Sequence, residues 1–349
     1  MKALRTDKPS LKSLTPVDRS AVRISEGELI RPSFLGASGT PPVVLQATLP
    51  GMDLAAWAAS HRGEVDRLFA EHRAVLLRGF DVRSVEAFQA FVGVSSQGPP
   101  LEYRDRSTPR HSLGKGIYIS TIYPPDQPIH LHNEGTYWRT WALKIYFCCL
   151  KTPDRGGATP IGDVRGVYRR IAPEVRQRFE DQQVLYVRNY GDGFGLPWQD
   201  VFQTESKEEV EEYCAKNAIE LEWKEGDRLR TRQRRPAVRV HPETGVPVWF
   251  NHAAFFHVTS LEPEVREMLL SDFGEEGLPY NTYYGDGSRI EPEVVAAIRQ
   301  AYQEETIVFP WRDGDVLMMD NMSFAHGREP YEGERKVAVA MTEPWSGEA

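Results

Sequence analysis

Cysteine, positive charge and long apolar runs are all scarce in this chain, and each shortage closes off a class of protein. Three cysteines in 349 residues, two of them adjacent as Cys148-Cys149, build no disulfide framework. Set in an apolar segment, that pair reads as reduced core residues of a cytoplasmic protein. No run approaches the roughly 20 apolar residues of a membrane helix, so no membrane partner is expected. The opening MKALRTDKPSLKSLTPVDRS lacks the apolar stretch of a secretory signal. Acidic residues outnumber basic ones 50 to 42, a net charge of −8, which argues against a nucleic-acid partner because such binding neutralises phosphates. No internal repeat is visible. What the chain does have is 40% hydrophobic and 11% aromatic residues, enough for a substantial core.

Residues 1–40 are polar and turn-rich and are expected to form an N-terminal arm; residues 41–349 are expected to form a single domain. From Asp53, apolar residues at helical spacing predict a helix through Phe69. Ala74-Val75-Leu76-Leu77 predicts a buried strand, and Ser84 caps a second helix. Helices are also predicted over 166–179 with an interruption at Pro173, after the Ser-x-x-Glu box at Ser206, and from Pro263 and Pro292. Strands are predicted at 116–121, 145–150, 184–190, 237–240, 246–250, 306–309, 314–319 and 337–342. Many short strands with helices at the start and in long insertions predict a mainly β fold with helical elaboration, a sandwich or jelly roll.

The chemistry concentrates in His130–Asp163. His132 and Glu134 stand two residues apart, and in an extended segment such residues point the same way. They can offer two ligands to one metal. Alone, His-Asn-Glu is a common turn sequence; a third ligand is needed. His326, between two late strands, is the candidate, since a jelly roll brings late strands beside early ones. Three other histidines also follow the first pair. His241 precedes Pro242 in an apparent turn and reads as a surface residue; His252 and His257 lie in an aromatic-rich stretch and read as core or pocket-wall residues. Two histidines, a carboxylate and open positions make the facial arrangement of non-haem Fe(II) oxygenases. A chelating 2-oxo acid then needs a cation and a hydroxyl for its far carboxylate. Arg335 fits the first need, with an ion pair to Glu332 or Glu334 as its plainer role and Lys336 as a competing cation. Thr159, in the Gly-Gly-Ala-Thr-Pro turn, fits the second. The basic run Arg228–Arg235 reads as a solvated edge that discourages strand pairing, with docking of an anionic substrate or acidic carrier domain as the alternative.

With these residues in hand, the chain resembles the taurine dioxygenase / clavaminate synthase-like family of Fe(II)/2-oxoglutarate dioxygenases, and within it the hydroxylases of syringomycin-type biosynthesis. The resemblance rests on His132-x-Glu134…His326, the turn ending Thr159-Pro160, His326-Gly327-Arg328…Arg335, Trp141–Ile145 and the stretch Trp198–Leu261. It implies a double-stranded β-helix (jelly-roll) core, a facial triad of His132, Glu134 and His326, and 2-oxoglutarate held by Arg335 with Thr159, with O2 as oxidant. Where halogenating relatives leave the carboxylate position empty, this chain has Glu134, which weighs against halogenation. The implied substrate is an amino-acid- or peptide-derived metabolite, free or tethered to a carrier protein, oxidised in specialised metabolism by hydroxylation, with desaturation or cyclisation as the alternatives. The oligomeric state is left open. Two other classes compete: a zinc-dependent hydrolase using the same His/Glu/His site, and a non-catalytic jelly-roll binding protein.

Overall fold

The computed structural model describes residues 29–35, 39–101, 111–114, 116–120, 123–191 and 195–347. Most of the expected arm, residues 1–28, lies outside them. Its far end does not behave as an arm. Ile30–Phe34 is an edge strand pairing antiparallel with Val43–Ala47. Pro32 hides the alternation in the sequence, and an edge tolerates it because one side needs no N–H donor.

The largest sheet has eight strands. Its middle is antiparallel: Ala74–Arg78, Val316–Asp320, Thr140–Lys151 and Lys336–Ser346 lie side by side in that order. Alternation along Thr140–Lys151 gives this sheet two buried faces. Tyr146 and Cys148 point to one side, where they meet Leu54, Val65, Phe88 and Phe91 of the N-terminal helices. Ile145, Phe147 and Cys149 point to the other, where they share a core with Ile161 and Phe324. Those two residues belong to a smaller sheet, ordered Thr306–Ile307, Ile161–Asp163, Phe324–Arg328, Ile129–His132. The two facing sheets are the jelly-roll core. Among the described residues no helix is long and apolar enough to cross a membrane.

The single helix expected from Asp53 is two, Leu54–Ser60 and Arg62–His72, broken at His61, whose backbone N–H and ring both reach the Trp57 carbonyl. The capped helices appear where predicted: Ser84 accepts from the Ala87 N–H and Ser206 from the Glu209 N–H. Pro263 and Pro292 each open a helix.

The basic run is corrected more sharply. Arg228–Arg235 is no edge: it is an interior strand between Glu220–Lys224 and Val184–Tyr190 in a third, four-stranded sheet. Arg232 and Arg234 pair across the strand with Glu222 and Glu220. Arg230 is buried, donating to Asn189 and Glu276. Neighbouring carboxylates and carbonyls satisfy the ladder.

Candidate active site

The site is built where the smaller sheet ends. Ile129–His132 alternates, with Leu131 packed among Val164, Met322 and Ala325 on one side and His132 turned toward a cavity on the other. His132 is the direct antiparallel partner of His326 on Phe324–Arg328. The register shifts just beyond, at Gly327. A Cβ there would stand 2.6 Å from the Ile129 carbonyl oxygen, so the close pairing that aligns the histidines needs glycine. Glu134 follows in the turn after the strand.

These three side chains offer ligand atoms within 4.8 Å of one another. The Glu134 Oε1 is 4.0 Å from His132 Nε2 and 3.7 Å from His326 Nε2. The His132 Nδ1 lies 2.9 Å from the His130 carbonyl oxygen, which makes Nδ1 the protonated nitrogen and leaves the Nε2 lone pair for a metal. Burial, then the neighbouring His326, holds the His132 pKa well below the usual histidine range. Two imidazoles plus one carboxylate make a donor set that fits Fe(II).

Around the triad is a cavity of about 570 Å³, within the ordinary range for a small-molecule site. Phe255 stacks on His132 with ring centroids 4.5 Å apart, and Phe147 packs against His326 at 4.7 Å. His252, expected in the pocket wall, lines the cavity and donates from Nε2 to the Asn133 carbonyl oxygen at 2.7 Å. His257 is also buried. His241 is not the surface residue its sequence suggests. It is 1% exposed, with Nε2 2.7 Å from Asp320 Oδ2, an attraction that outweighs the turn-like Pro242 beside it.

Arg335 and Thr159 line the same cavity. Neither Glu332 nor Glu334 pairs with Arg335; they face Arg155 and Lys151. Among the described residues no carboxylate lies within ion-pair distance of Arg335. Its Nε donates to the Gly157 carbonyl at 2.9 Å and a terminal nitrogen to Thr159 Oγ1 at 3.1 Å. Burial, then the neighbouring Arg328, pushes its pKa down to about 10. Gly157 makes the approach feasible: its φ is +70°, and a Cβ would stand 3.1 Å from Arg335 Cδ. Lys336 is exposed, as strand alternation requires.

Sequence reading missed Trp311. Its indole N–H donates to Thr159 Oγ1 at 2.9 Å. With Arg335 donating to the same oxygen, both lone pairs are occupied and the hydroxyl hydrogen is left to donate. A half-buried cation without a carboxylate beside a hydroxyl donor fits the distal carboxylate of 2-oxoglutarate. A tryptophan in a loop 152 residues away leaves no local sequence signal.

A jelly roll that brings two histidines, a glutamate and a nearby arginine to one cavity fits a metal-dependent oxygenase. Residues 36–341 match the family described as taurine catabolism dioxygenase TauD, TfdA family, and the chain belongs to that family. It is an Fe(II)/2-oxoglutarate-dependent dioxygenase, and the zinc-hydrolase and non-catalytic readings are set aside. The chain is 42% identical over 280 residues to the dapdiamide synthesis protein DdaC of Enterobacter agglomerans, covering 80% of this chain and 85% of that protein. It is 30% identical over 289 residues to a clavaminate synthase-like protein of Arabidopsis thaliana, covering 79% and 83%. The fold is similar to that of PvcB from Pseudomonas aeruginosa, with a TM-score of 0.52 at 16% identity over 92% of this chain and 93% of that one.

Proposed function

We propose that this enzyme hydroxylates an unactivated C–H bond of an amino-acid- or peptide-derived metabolite in specialised-metabolite biosynthesis, antibiotic formation included. His132, Glu134 and His326 hold Fe(II); Arg335 and Thr159 hold the distal carboxylate of 2-oxoglutarate. The observation that carries the cofactor assignment is the Arg335–Thr159 pair, a half-buried cation and a free hydroxyl hydrogen on the wall of the cavity that contains the triad. The substrate class is supported by the similarity to DdaC, whose name places it in dapdiamide synthesis.

Bound iron with 2-oxoglutarate supplies the oxidising power, consuming O2 and releasing CO2 and succinate. The protein's own groups do the rest. His132 and His326 present ring nitrogens from paired strands, so their relative placement is fixed by backbone hydrogen bonds. Arg335 and Thr159 hold the co-substrate at one end, which sets the direction from which it reaches the metal. Phe147, Phe255 and Phe256 exclude water from the reacting face. Arg188, nearly buried on the strand Val184–Tyr190 of the third sheet, also lines the cavity, its guanidinium over the Tyr137 and Tyr190 rings. It gives the substrate half of the cavity a positive wall suited to a metabolite with an anionic or strongly polar group. The substrate enters free or on a carrier protein.

Anaerobic titration of the apoprotein with Fe(II) and then 2-oxoglutarate tests the cofactor assignment through the visible metal-to-ligand charge-transfer band. A band that needs both, and disappears in His132→Ala and Arg335→Gln, supports it. Preferential zinc binding without a band overturns it. Substrate-stimulated succinate release across a panel of free amino acids, small peptides and carrier-loaded aminoacyl groups tests the substrate class.

A further inference from the structure

We propose that Asn321 is a positioning residue for the metal site, acting with Asp320 as a brace between the two halves of the triad. The inference rests on the assignment of His132, Glu134 and His326 as ligands.

Asn321 is fully buried, and its side chain is spent on the backbone of the loop that carries Glu134. Its Oδ1 accepts from the Glu134 N–H at 2.9 Å, and its Nδ2 donates to the Glu134 carbonyl at 2.9 Å. One side-chain amide thus holds both peptide groups of the carboxylate ligand, in the manner of a neighbouring strand. The second Nδ2 hydrogen goes to the Ala142 carbonyl at 2.9 Å, which ties the loop to the start of Thr140–Lys151. The main chain of Asn321 adds two bonds: its N–H donates to the Leu143 carbonyl at 2.8 Å, and its carbonyl accepts from Asn133 Nδ2 at 2.6 Å. Glu134 and Asn321 are 187 residues apart, so none of this is local turn chemistry.

Asp320 serves the other half. Its Oδ1 accepts from the Met322 and Ser323 N–H groups, both at 2.9 Å, shaping the turn that leads into Phe324–Arg328 and so to His326. Its Oδ2 is held by His241 at 2.7 Å and Arg73 at 3.3 Å. Two consecutive residues therefore fix the backbone before one ligand and around another.

Asparagine is the side chain that meets this need. Aspartate keeps the acceptor for the Glu134 N–H but offers no hydrogen to the two carbonyls, and it adds a buried charge. Alanine leaves an N–H and two carbonyls in the interior without partners. Either change frees the Glu134 loop to adopt positions in which its carboxylate misses the metal.

The test compares Asn321→Asp and Asn321→Ala with a structural control, Asn189→Ala. Asn189 is also buried and also bridges two carbonyls with its Nδ2, those of Glu276 and Leu278, but it does not line the cavity. Fe(II) affinity is read by anaerobic titration, the charge-transfer band with 2-oxoglutarate by absorbance, and the apoprotein melting temperature by circular dichroism. The expected result is Fe(II) binding weakened about 10–100-fold in the Asn321 variants, the magnitude usual for outer residues of metal sites, together with a shifted band. Asn189→Ala should melt earlier yet bind Fe(II) as wild type does. The proposal is overturned if the Asn321 variants melt like the control while Fe(II) affinity and band stay unchanged. If Asn321→Ala does not fold, the isosteric Asn321→Asp decides by the same two readings. His326→Ala is run alongside: wild-type Fe(II) affinity in that variant overturns the ligand assignment and the brace with it.

Discussion

His132 and His326 sit directly opposite each other across an antiparallel strand pair, with ring centroids 4.5 Å apart. Their approach is set by a backbone register. Removing one ring should therefore leave the fold intact and abolish metal binding. Saturating Fe(II) or Co(II) at about 100 times its Kd should stabilise the wild type by about 2.7 kcal/mol. His326→Ala should show no such gain in melting temperature while its far-ultraviolet circular dichroism stays that of the wild type.

Arg335 and Trp311 act on the same oxygen of Thr159 but with different weight. Arg335→Gln removes a charge-assisted contact, a loss of about 1.5–3 kcal/mol, so the KM for 2-oxoglutarate should rise about 10–150-fold. Trp311→Phe removes a neutral donor, and the rise should be about 2–10-fold. Succinate formation at varied 2-oxoglutarate measures both. Equal effects would mean that the indole matters for packing more than for the hydroxyl.

Arg78 and Asp315 form a buried pair, Nε and a terminal nitrogen reaching the carboxylate at 3.1 and 2.7 Å. Burial raises the Asp315 pKa, against the pull of Arg78. Asp315→Asn leaves the guanidinium buried without its counter-charge and should cost about 3–5 kcal/mol in denaturant unfolding. The activity of the folded fraction should be retained.

His257 supplies a pH dependence. Burial, then the nearby Arg299, lowers its pKa from 6.5 to about 4. A histidine whose folded pKa is depressed binds protons more readily when unfolded, so its contribution is complete above about pH 6.5. It is lost as pH falls toward 4, on the order of 3 kcal/mol in all. The apoprotein should melt progressively lower across that window. His257→Asn, which can still accept the Thr259 N–H that His257 caps, should flatten the slope.

The local spacing of His132 and Glu134 made the cluster legible, though not through strand alternation: the strand ends at His132 and Glu134 follows in a turn, while a late strand brings His326 to them. The paired prolines and serine caps placed the helices for the same local reason. What stayed hidden depends on partners far along the chain. His241 looks like a turn residue beside Pro242, and only Asp320, 79 residues on, accounts for its burial. Trp311 and Asn321 carry no periodic signal because their partners are single oxygens and peptide groups on other elements. The arginine run looks like an edge because its counter-charges lie on another strand. Glu220 and Glu222 alternate just upstream, and that matching period was the available clue to an interior strand.

The position of Lys336–Ser346 in the middle of the large sheet has a bearing on how the enzyme is made. One ligand pair emerges early in synthesis, while His326, the brace at Asp320-Asn321 and Arg335 emerge near the end. Such long-range pairing is the slow part of folding, because distant segments must meet before any contact rewards them. A half-made chain has His132 and Glu134 but neither His326 nor Arg335. On the proposed ligand assignment, the metal site is therefore complete only when synthesis is nearly finished.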